Sequence, residues 1–132
     1  MRPIVVCCTV ALTSFVWAEP PAADAPPSYA KDVRPFLSNY CQGCHNGRRA
    51  KSGYSVENYA ALVKNGRKGP LVVPGKPDES RLTLCLDGKG KPMPPKKSDQ
   101  PTAEEIAMVR TWIKAGAHDD KAVAGKAVDR DN

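Results

Sequence analysis

The chain has 132 residues, a net charge of +6, 13 prolines, 10 glycines and five cysteines. The length suggests one domain, and an aromatic content of only 6% argues against a large core built from side chains alone. Five cysteines exclude a framework in which every thiol is paired, while the basic balance leaves nucleic acid, anionic membranes and acidic proteins open as partners.

The N-terminus is predicted to be an export signal. Arg2 precedes an apolar stretch from Ile4 to Trp17, and Ala18 fits the position before a signal-peptidase cleavage site. The stretch is shorter than the roughly 20 residues that span a bilayer. We therefore expect residues 1–18 to be removed, leaving a mature protein in the periplasm or otherwise outside the cytoplasm. The alternative is that the segment stays attached as a membrane tether.

The mature chain is predicted to have three parts. Residues 19–27, with the sequence EPPAADAPP, are Pro/Ala-rich and indicate an extended linker. Residues 118–132 are polar and rich in small residues, which is typical of a flexible tail. The domain therefore covers residues 28–117, where short helical patterns alternate with Pro/Gly loops and no strand pattern competes. We expect an all-α fold of about four short helices.

The first predicted helix leads directly into the central motif. Pro35 either kinks this helix or lies near the first position of a shorter one. Apolar side chains recur at the spacing of one helical face at Tyr29, Val33, Phe36, Leu37 and Tyr40.

The central motif is CQGCH at residues 41–45, a C-x-x-C-H signature of c-type haem attachment. Two thiols three positions apart on one helical turn, Cys41 and Cys44, reach the vinyl groups of haem. His45 then projects toward the iron as a ligand. Gly43 lets the backbone pass close to the flat macrocycle. The motif therefore predicts one covalently attached haem c with its iron.

Two other roles for the motif have less support. A redox dithiol is expected in a βαβ pattern, and none follows. A zinc site needs a second pair of ligands, but the later candidates Cys85 and His118 are far apart in the chain. The few large apolar residues in the domain also favour haem, because a covalent apolar disc would complete a small core.

Three further helices are predicted after the motif. The second covers residues 56–64, with Ser55 as its N-cap and Gly66 ending it. The third opens at Pro77 and runs through Leu86.

The fourth helix has the clearest signals. Thr102 and Glu105 have the spacing of a capping box, and Gly116 is placed to end the helix. Its apolar stripe consists of Ile106, Val109, Trp112 and Ile113.

The mature chain offers three candidates for a second iron ligand: Met93, Met108 and His118. Met93 lies between prolines in GKPMPP, where a stiff extended loop holds its thioether away from any helix. Met108 falls within the fourth helix and is expected to pack or face solvent, and His118 begins the polar tail. Met93 is the favoured candidate, and a His/Met pair raises the reduction potential as suits an electron carrier.

Four segments together resemble the planctomycete-type cytochrome c domain: YAKDVRPFLSNYCQGCHNG, PLVVPGKPDESRLTL, KPMPP and TAEEIAMVRTWIKAGA. The resemblance covers residues 28–117 and implies the class I, mitochondrial-like cytochrome c fold wrapped around one haem. It implies that the first and last helices cross near Phe36 and Trp112. For the site it implies two haem attachments, a proximal ligand and a distal ligand at Cys41, Cys44, His45 and Met93.

These features predict a one-electron carrier rather than an enzyme. The alternative is a haem protein whose distal ligand is displaceable, which would allow peroxidase-type chemistry or gas sensing. A secreted interaction domain without haem is a third interpretation with less support.

Basic residues cluster around the predicted site and favour an acidic redox protein as partner, because complementary charge raises association rates. Ordinary solubilising charge is the alternative, and no nucleic-acid recognition motif accompanies the cluster. We expect a monomer with no membrane span once the signal is cleaved. The cluster consists of Arg48, Arg49, Lys51, Lys64, Arg67, Lys68, Lys89, Lys91, Lys96 and Lys97.

Cys85 is left over once two cysteines leave with the signal and two hold haem. It is expected to be a small buried apolar residue. An intermolecular disulfide is the alternative.

Overall fold

The computed structural model describes residues 25–47 and 50–121. The predicted signal at residues 1–18, linker residues 19–24, the basic pair Arg48 and Arg49, and tail residues 122–132 lie outside the described residues.

The first helical segment begins as a π-helical turn over Tyr29–Val33 and continues as α1 over Arg34–Tyr40. Ser28 caps the turn, since its side chain accepts a hydrogen bond of 3.0 Å from the Lys31 amide. Pro35 lies in the first turn of α1, where its missing N–H costs nothing. This position decides between the two roles predicted for Pro35. Burial confirms the predicted inner face for Tyr29, Val33, Phe36 and Leu37, with Tyr40 half-buried.

The last helix, α4, spans Ala103–Lys114 and carries the predicted capping box. Thr102 Oγ1 accepts from the Glu105 amide at 3.2 Å, and the Glu105 carboxylate accepts from the Thr102 amide at 2.8 Å. Gly116 follows the helix with a φ of +107°, a left-handed conformation that glycine adopts without strain. The stripe is buried at Val109, Trp112 and Ile113, and Ile106 is half-buried.

The first and last helical segments contact each other at two places. The ring of Tyr29 lies 5.8 Å from that of Trp112, and Tyr40 at the other end donates a hydrogen bond of 3.0 Å to Glu105. Contact between the first and last helices, which the resemblance implies, is therefore present, and the aromatic neighbour of Trp112 is Tyr29, whereas Phe36 packs against Tyr40. We call these two packed segments the helical frame, because the remaining elements pack around them.

The second helix, α2, spans Tyr59–Val63 and is shorter than expected. The prediction of Ser55 as its N-cap is wrong, because Asn58 caps it by accepting from the Ala61 amide at 2.9 Å. Val56 lies before the helix, where its amide donates to the His45 carbonyl at 2.8 Å. This long-range bond holds residues 55–57 out of the helix, and local sequence carries no signal of it.

A small antiparallel pair follows α2, formed by β1 (Asn65–Gly66) and β2 (Gly69–Pro70). The sequence showed no strand pattern here. Each strand has only 2 residues, so the pair leaves the fold class unchanged. The loop at residues 72–75 then leads to a 3₁₀ turn over Pro77–Glu79.

The third helix, α3, spans Arg81–Leu86 and starts later than predicted. Ser80 separates it from the 3₁₀ turn, because the Ser80 backbone is extended and its hydroxyl bonds to Val73 and Lys76. The architecture is all-α with four short α-helices, as predicted. None of the helices in the described ranges has the length and apolar character needed to cross a membrane.

Candidate haem pocket

A largely apolar pocket lies between the CQGCH turn, the residues that follow it, α3 and the loop after α3. Three sequence-predicted site residues line it together: Cys41, His45 and Met93. Cys44 has an exposed side chain and is not part of this lining. The apolar walls come from Val56, Leu71, Leu82 and Leu84.

The CQGCH turn continues the helical path of α1. The Cys41 amide donates to Leu37 at 2.9 Å, and the amides of Cys44 and His45 both donate to the Cys41 carbonyl, at 3.2 and 3.0 Å. The motif therefore adopts the compact turn expected from its spacing. This turn is what brings Cys41 and His45 to the pocket together.

The His45 ring is oriented by the backbone of Tyr54. Nδ1 of His45 lies 3.1 Å from the Tyr54 carbonyl oxygen, which can only accept a hydrogen bond. Nδ1 must therefore carry the proton, which leaves the lone pair on Nε2. A neutral imidazole held in this tautomer is the form that ligates a metal. His45 lines the pocket with a free Nε2 lone pair, so this residue fits the binding of an iron-containing group there.

Tyr54 is the main site residue that sequence reasoning missed. It is buried, its hydroxyl donates to the Gly69 carbonyl at 2.9 Å, and the same hydroxyl accepts from the Lys68 amide at 3.2 Å. A Cβ on Gly66 would overlap the Tyr54 ring. The signal in the sequence was therefore Gly66, which by itself predicts only the end of a helix.

Two thiols face the pocket. Burial raises the pKa of the Cys41 thiol to about 11, and the nearby Cys85 adds to the rise. Burial also raises the pKa of Cys85, which is half-buried rather than fully buried as expected. Both thiols are therefore protonated at neutral pH, and neither forms a disulfide within the described residues. Cys85 belongs to the pocket wall.

Met93 is the one candidate for the second iron ligand that lines the pocket. Its side chain is half-buried, and its amide donates to the Cys85 carbonyl at 3.3 Å. Met108 packs against the core from α4, and His118 is exposed. Neither of these two is part of the pocket lining.

Cationic side chains also line the pocket, and no carboxylate does among the described residues. The three are Lys68, Arg81 and Lys91. Arg81 is half-buried and donates from Nη1 to the Lys68 carbonyl at 3.3 Å, yet it forms no ion pair with any described acidic residue. An apolar pocket with unneutralised cations is suited to a ligand with an apolar body and anionic groups.

Residues 41–97 match the family model described as Planctomycete cytochrome C, which confirms the resemblance. The matched segment contains the CQGCH turn, Tyr54, Cys85 and Met93. No curated protein and no solved structure matched the chain. The family match supports a haem-binding electron carrier in general terms.

Proposed function

We propose that the chain is an exported mono-haem c-type cytochrome that carries single electrons, because residues 41–97 match the family model described as Planctomycete cytochrome C. Cys41 and Cys44 hold the haem through thioether bonds, and His45 and Met93 are the two ligands of its iron. The observation that carries the proposal is the convergence of Cys41, His45 and Met93 on one apolar pocket.

The donor atoms support this ligand set. The Tyr54 carbonyl accepts the Nδ1 proton of His45 at 3.1 Å, so the imidazole offers a lone pair and keeps one orientation. Met93 adds a thioether, a soft neutral donor. The bound haem supplies the Fe(III)/Fe(II) couple. Two neutral ligands in an apolar pocket favour the ferrous state and so raise the reduction potential.

The cations of the pocket support haem over a purely apolar ligand. Haem carries two propionate groups on an otherwise apolar disc. Arg81 and Lys68 provide cationic partners for these carboxylates, and Arg81 has no competing acidic partner among the described residues. The role of these two residues is to fix the orientation of the disc, while the apolar walls exclude water.

The partner in electron transfer is an acidic redox protein that docks at the cationic mouth of the pocket. Lys68 and Lys91 line this mouth, and their side chains are exposed. Further exposed lysines lie in the segments around the mouth, at Lys51, Lys64, Lys89, Lys96 and Lys97. The positive electrostatic field of these lysines raises the rate of encounter with an anionic partner more than it changes the stability of the complex.

Export follows from the N-terminal sequence and from the chemistry of the haem. Residues 1–18 have the composition of a cleaved signal, and c-type haem is attached on the outer side of the bacterial membrane. We place the mature protein in the periplasm. N-terminal sequencing of the haem-loaded protein should begin at Glu19, and a chain that starts at Met1 would contradict cleavage.

Optical spectra of the haem-loaded protein test the iron ligation. We expect covalent haem, a thioether–iron charge-transfer band in the ferric state and no rapid shift when carbon monoxide is added to the ferrous state, because Met93 must first leave the iron. Met93→Ala should lose the band and bind carbon monoxide. Met108→Ala is the matched control, because this methionine packs on α4 away from the pocket and should leave the spectrum unchanged.

Each other outcome would overturn part of the proposal. Rapid carbon monoxide binding to the native ferrous protein would favour the alternative with a displaceable ligand, and peroxidase-type turnover would then be measured. Loss of the band in Met108→Ala but not in Met93→Ala would reassign the distal ligand. If the mature protein contained no haem, the remaining interpretation would be a secreted interaction domain.

A further inference from the structure

The segment that carries Met93 buries little surface of its own. Across residues 88–100 every residue is exposed except Met93 and Pro94. The helix from which the segment leaves, α3, has only 6 residues. A helix of this length is not stable alone in water. The position of Met93 must therefore depend on what holds α3.

Backbone hydrogen bonds attach the loop that carries Met93 to the last turn of α3. The Gly90 amide donates to the Leu84 carbonyl at 3.1 Å, and the Met93 amide donates to the Cys85 carbonyl at 3.3 Å. At the start of the loop the Asp87 amide donates to the Thr83 carbonyl at 2.8 Å. Any displacement of the α3 C-terminus would therefore displace the Met93 thioether.

One arginine on α4 holds both flanks of α3. Arg110 donates from Nη1 to the carboxylate of Asp87, which follows α3, at 2.7 Å. It donates from Nη2 to the carboxylate of Asp78, which lies in the 3₁₀ turn before α3, at 2.5 Å. The Arg110 side chain is 30% exposed and that of Asp87 is 21% exposed, so the Arg110–Asp87 pair is partly shielded from solvent. The side chain of Asp78 is 72% exposed.

We propose that Arg110 is a positioning residue for Met93: its guanidinium ties both ends of α3 to α4 and so keeps the thioether over the pocket. This inference rests on the proposed ligation of iron by Met93. Arginine is required because its planar fork presents separate N–H groups to two carboxylates, whereas an ammonium is a single compact charge. The hydrogen bond from Arg110 also lowers the pKa of Asp78, which keeps this carboxylate charged in mild acid.

The test compares variants of the haem-loaded protein by the rate at which the ferrous state captures carbon monoxide. This capture requires Met93 to leave the iron, so it measures how often the loop opens. The variants are Arg110→Lys, Arg110→Ala and Asp87→Asn. The control is Glu79→Gln, which removes the exposed 3.0 Å pair between Lys76 and Glu79 in the same 3₁₀ turn without touching Arg110.

We expect Arg110→Ala and Asp87→Asn to raise the capture rate by about two- to fivefold, the range for loss of partly exposed ion pairs. Arg110→Lys should fall between wild type and Arg110→Ala. Glu79→Gln should match wild type. In a Met93→Ala background the Arg110 substitution should have no further effect, because the ligand that it positions is gone.

A purely structural role for Arg110 gives a different result. The variants would then lower the unfolding temperature while the thioether–iron band and the capture rate stay at wild-type values, which would overturn the inference. A wild-type protein with haem but without the thioether–iron band would overturn the proposed ligation itself. An intact wild-type band with unchanged variants would overturn only the role of Arg110.

Discussion

The helical frame and the loop that carries Met93 are held in place by different means. The frame buries aromatic and aliphatic side chains, with Trp112 1% exposed and Phe36 3% exposed. The loop at residues 87–100 is almost entirely exposed and is tied to the rest of the molecule by backbone hydrogen bonds and by the Arg110 ion pairs. Burial stabilises the frame by roughly 1.5–3 kcal/mol per large side chain, whereas exposed ion pairs contribute about 0–1 kcal/mol.

This difference assigns separate tasks to the two regions. His45 lies at the end of the frame, and the buried Tyr54 fixes its ring. Met93 depends on a short helix and a surface loop. Substitutions in the frame should therefore change stability, and substitutions in the loop should change ligation or partner binding at nearly constant stability.

The largest expected effect comes from Trp112→Ala in the frame. The side chain is 1% exposed, and its indole N–H donates to the His118 carbonyl at 3.1 Å. Its removal leaves a cavity, so the free energy of unfolding should fall by about 3–5 kcal/mol. Denaturant titration of the haem-loaded protein measures this. Lys114→Ala, an exposed position on the same helix, is the control and should change the value by less than about 0.5 kcal/mol.

Gly66→Ala should have the next largest effect. The new Cβ would overlap the Tyr54 ring, so the ring must shift, which disturbs the residue whose carbonyl orients His45. We expect a loss of about 1–3 kcal/mol in unfolding free energy together with a changed ferric spectrum. Gly90→Ala in the distal loop is the control, because its Cβ meets only ordinary contacts. Equal effects of the two substitutions would mean that overlap with the Tyr54 ring is not the cause.

Asp120→Asn tests the contact between the residues that follow α4 and the start of the first helical segment. Asp120 accepts hydrogen bonds from Ser28 Oγ at 2.6 Å and from the Ala30 amide at 2.7 Å, which hold the pKa of its carboxyl below the ordinary value. A lowered folded pKa stabilises the fold above the unfolded pKa of about 3.9, and this contribution is lost as pH falls through the folded value.

The variant should therefore be less stable than wild type at pH 7, by roughly 0.5–1 kcal/mol since the carboxyl is partly exposed. The gap should narrow as pH falls below about 4 and close once pH is below the folded pKa of Asp120. Unfolding curves at a series of pH values measure it, and a gap that persists at pH 2 would mean that the charge of Asp120 is not the cause.

The smallest effect on stability is expected in the loop. Lys96→Ala and Lys97→Ala remove exposed charges and should change the unfolding free energy by less than about 0.5 kcal/mol. Oxidation by ferricyanide, an anionic probe, should slow in both variants, and the difference should vanish at high salt. Lys114→Ala removes the same charge from α4. If it slows oxidation equally, net charge rather than a docking face is responsible.

Local signals predicted much of the fold. The Thr102–Glu105 capping box and the apolar stripe before Gly116 are confirmed in α4, because both depend on contacts within one helix. The predicted helix starts that were wrong depend on residues outside the helices themselves. Val56 is held by His45, and Ser80 is held by Val73 and Lys76, so the second and third helices start later than their sequences indicate.

For this protein the sequence alone determined the candidate ligands, since CQGCH and a methionine between prolines are short motifs whose chemistry is local. Only the tertiary structure decided which groups support them. The Tyr54 carbonyl that orients His45 is a backbone group, so the residue type at this position does not predict its role. The contact of Arg110 with Asp78 and Asp87 spans 32 and 23 positions, and such pairings arise only when helices that are separate in sequence pack together.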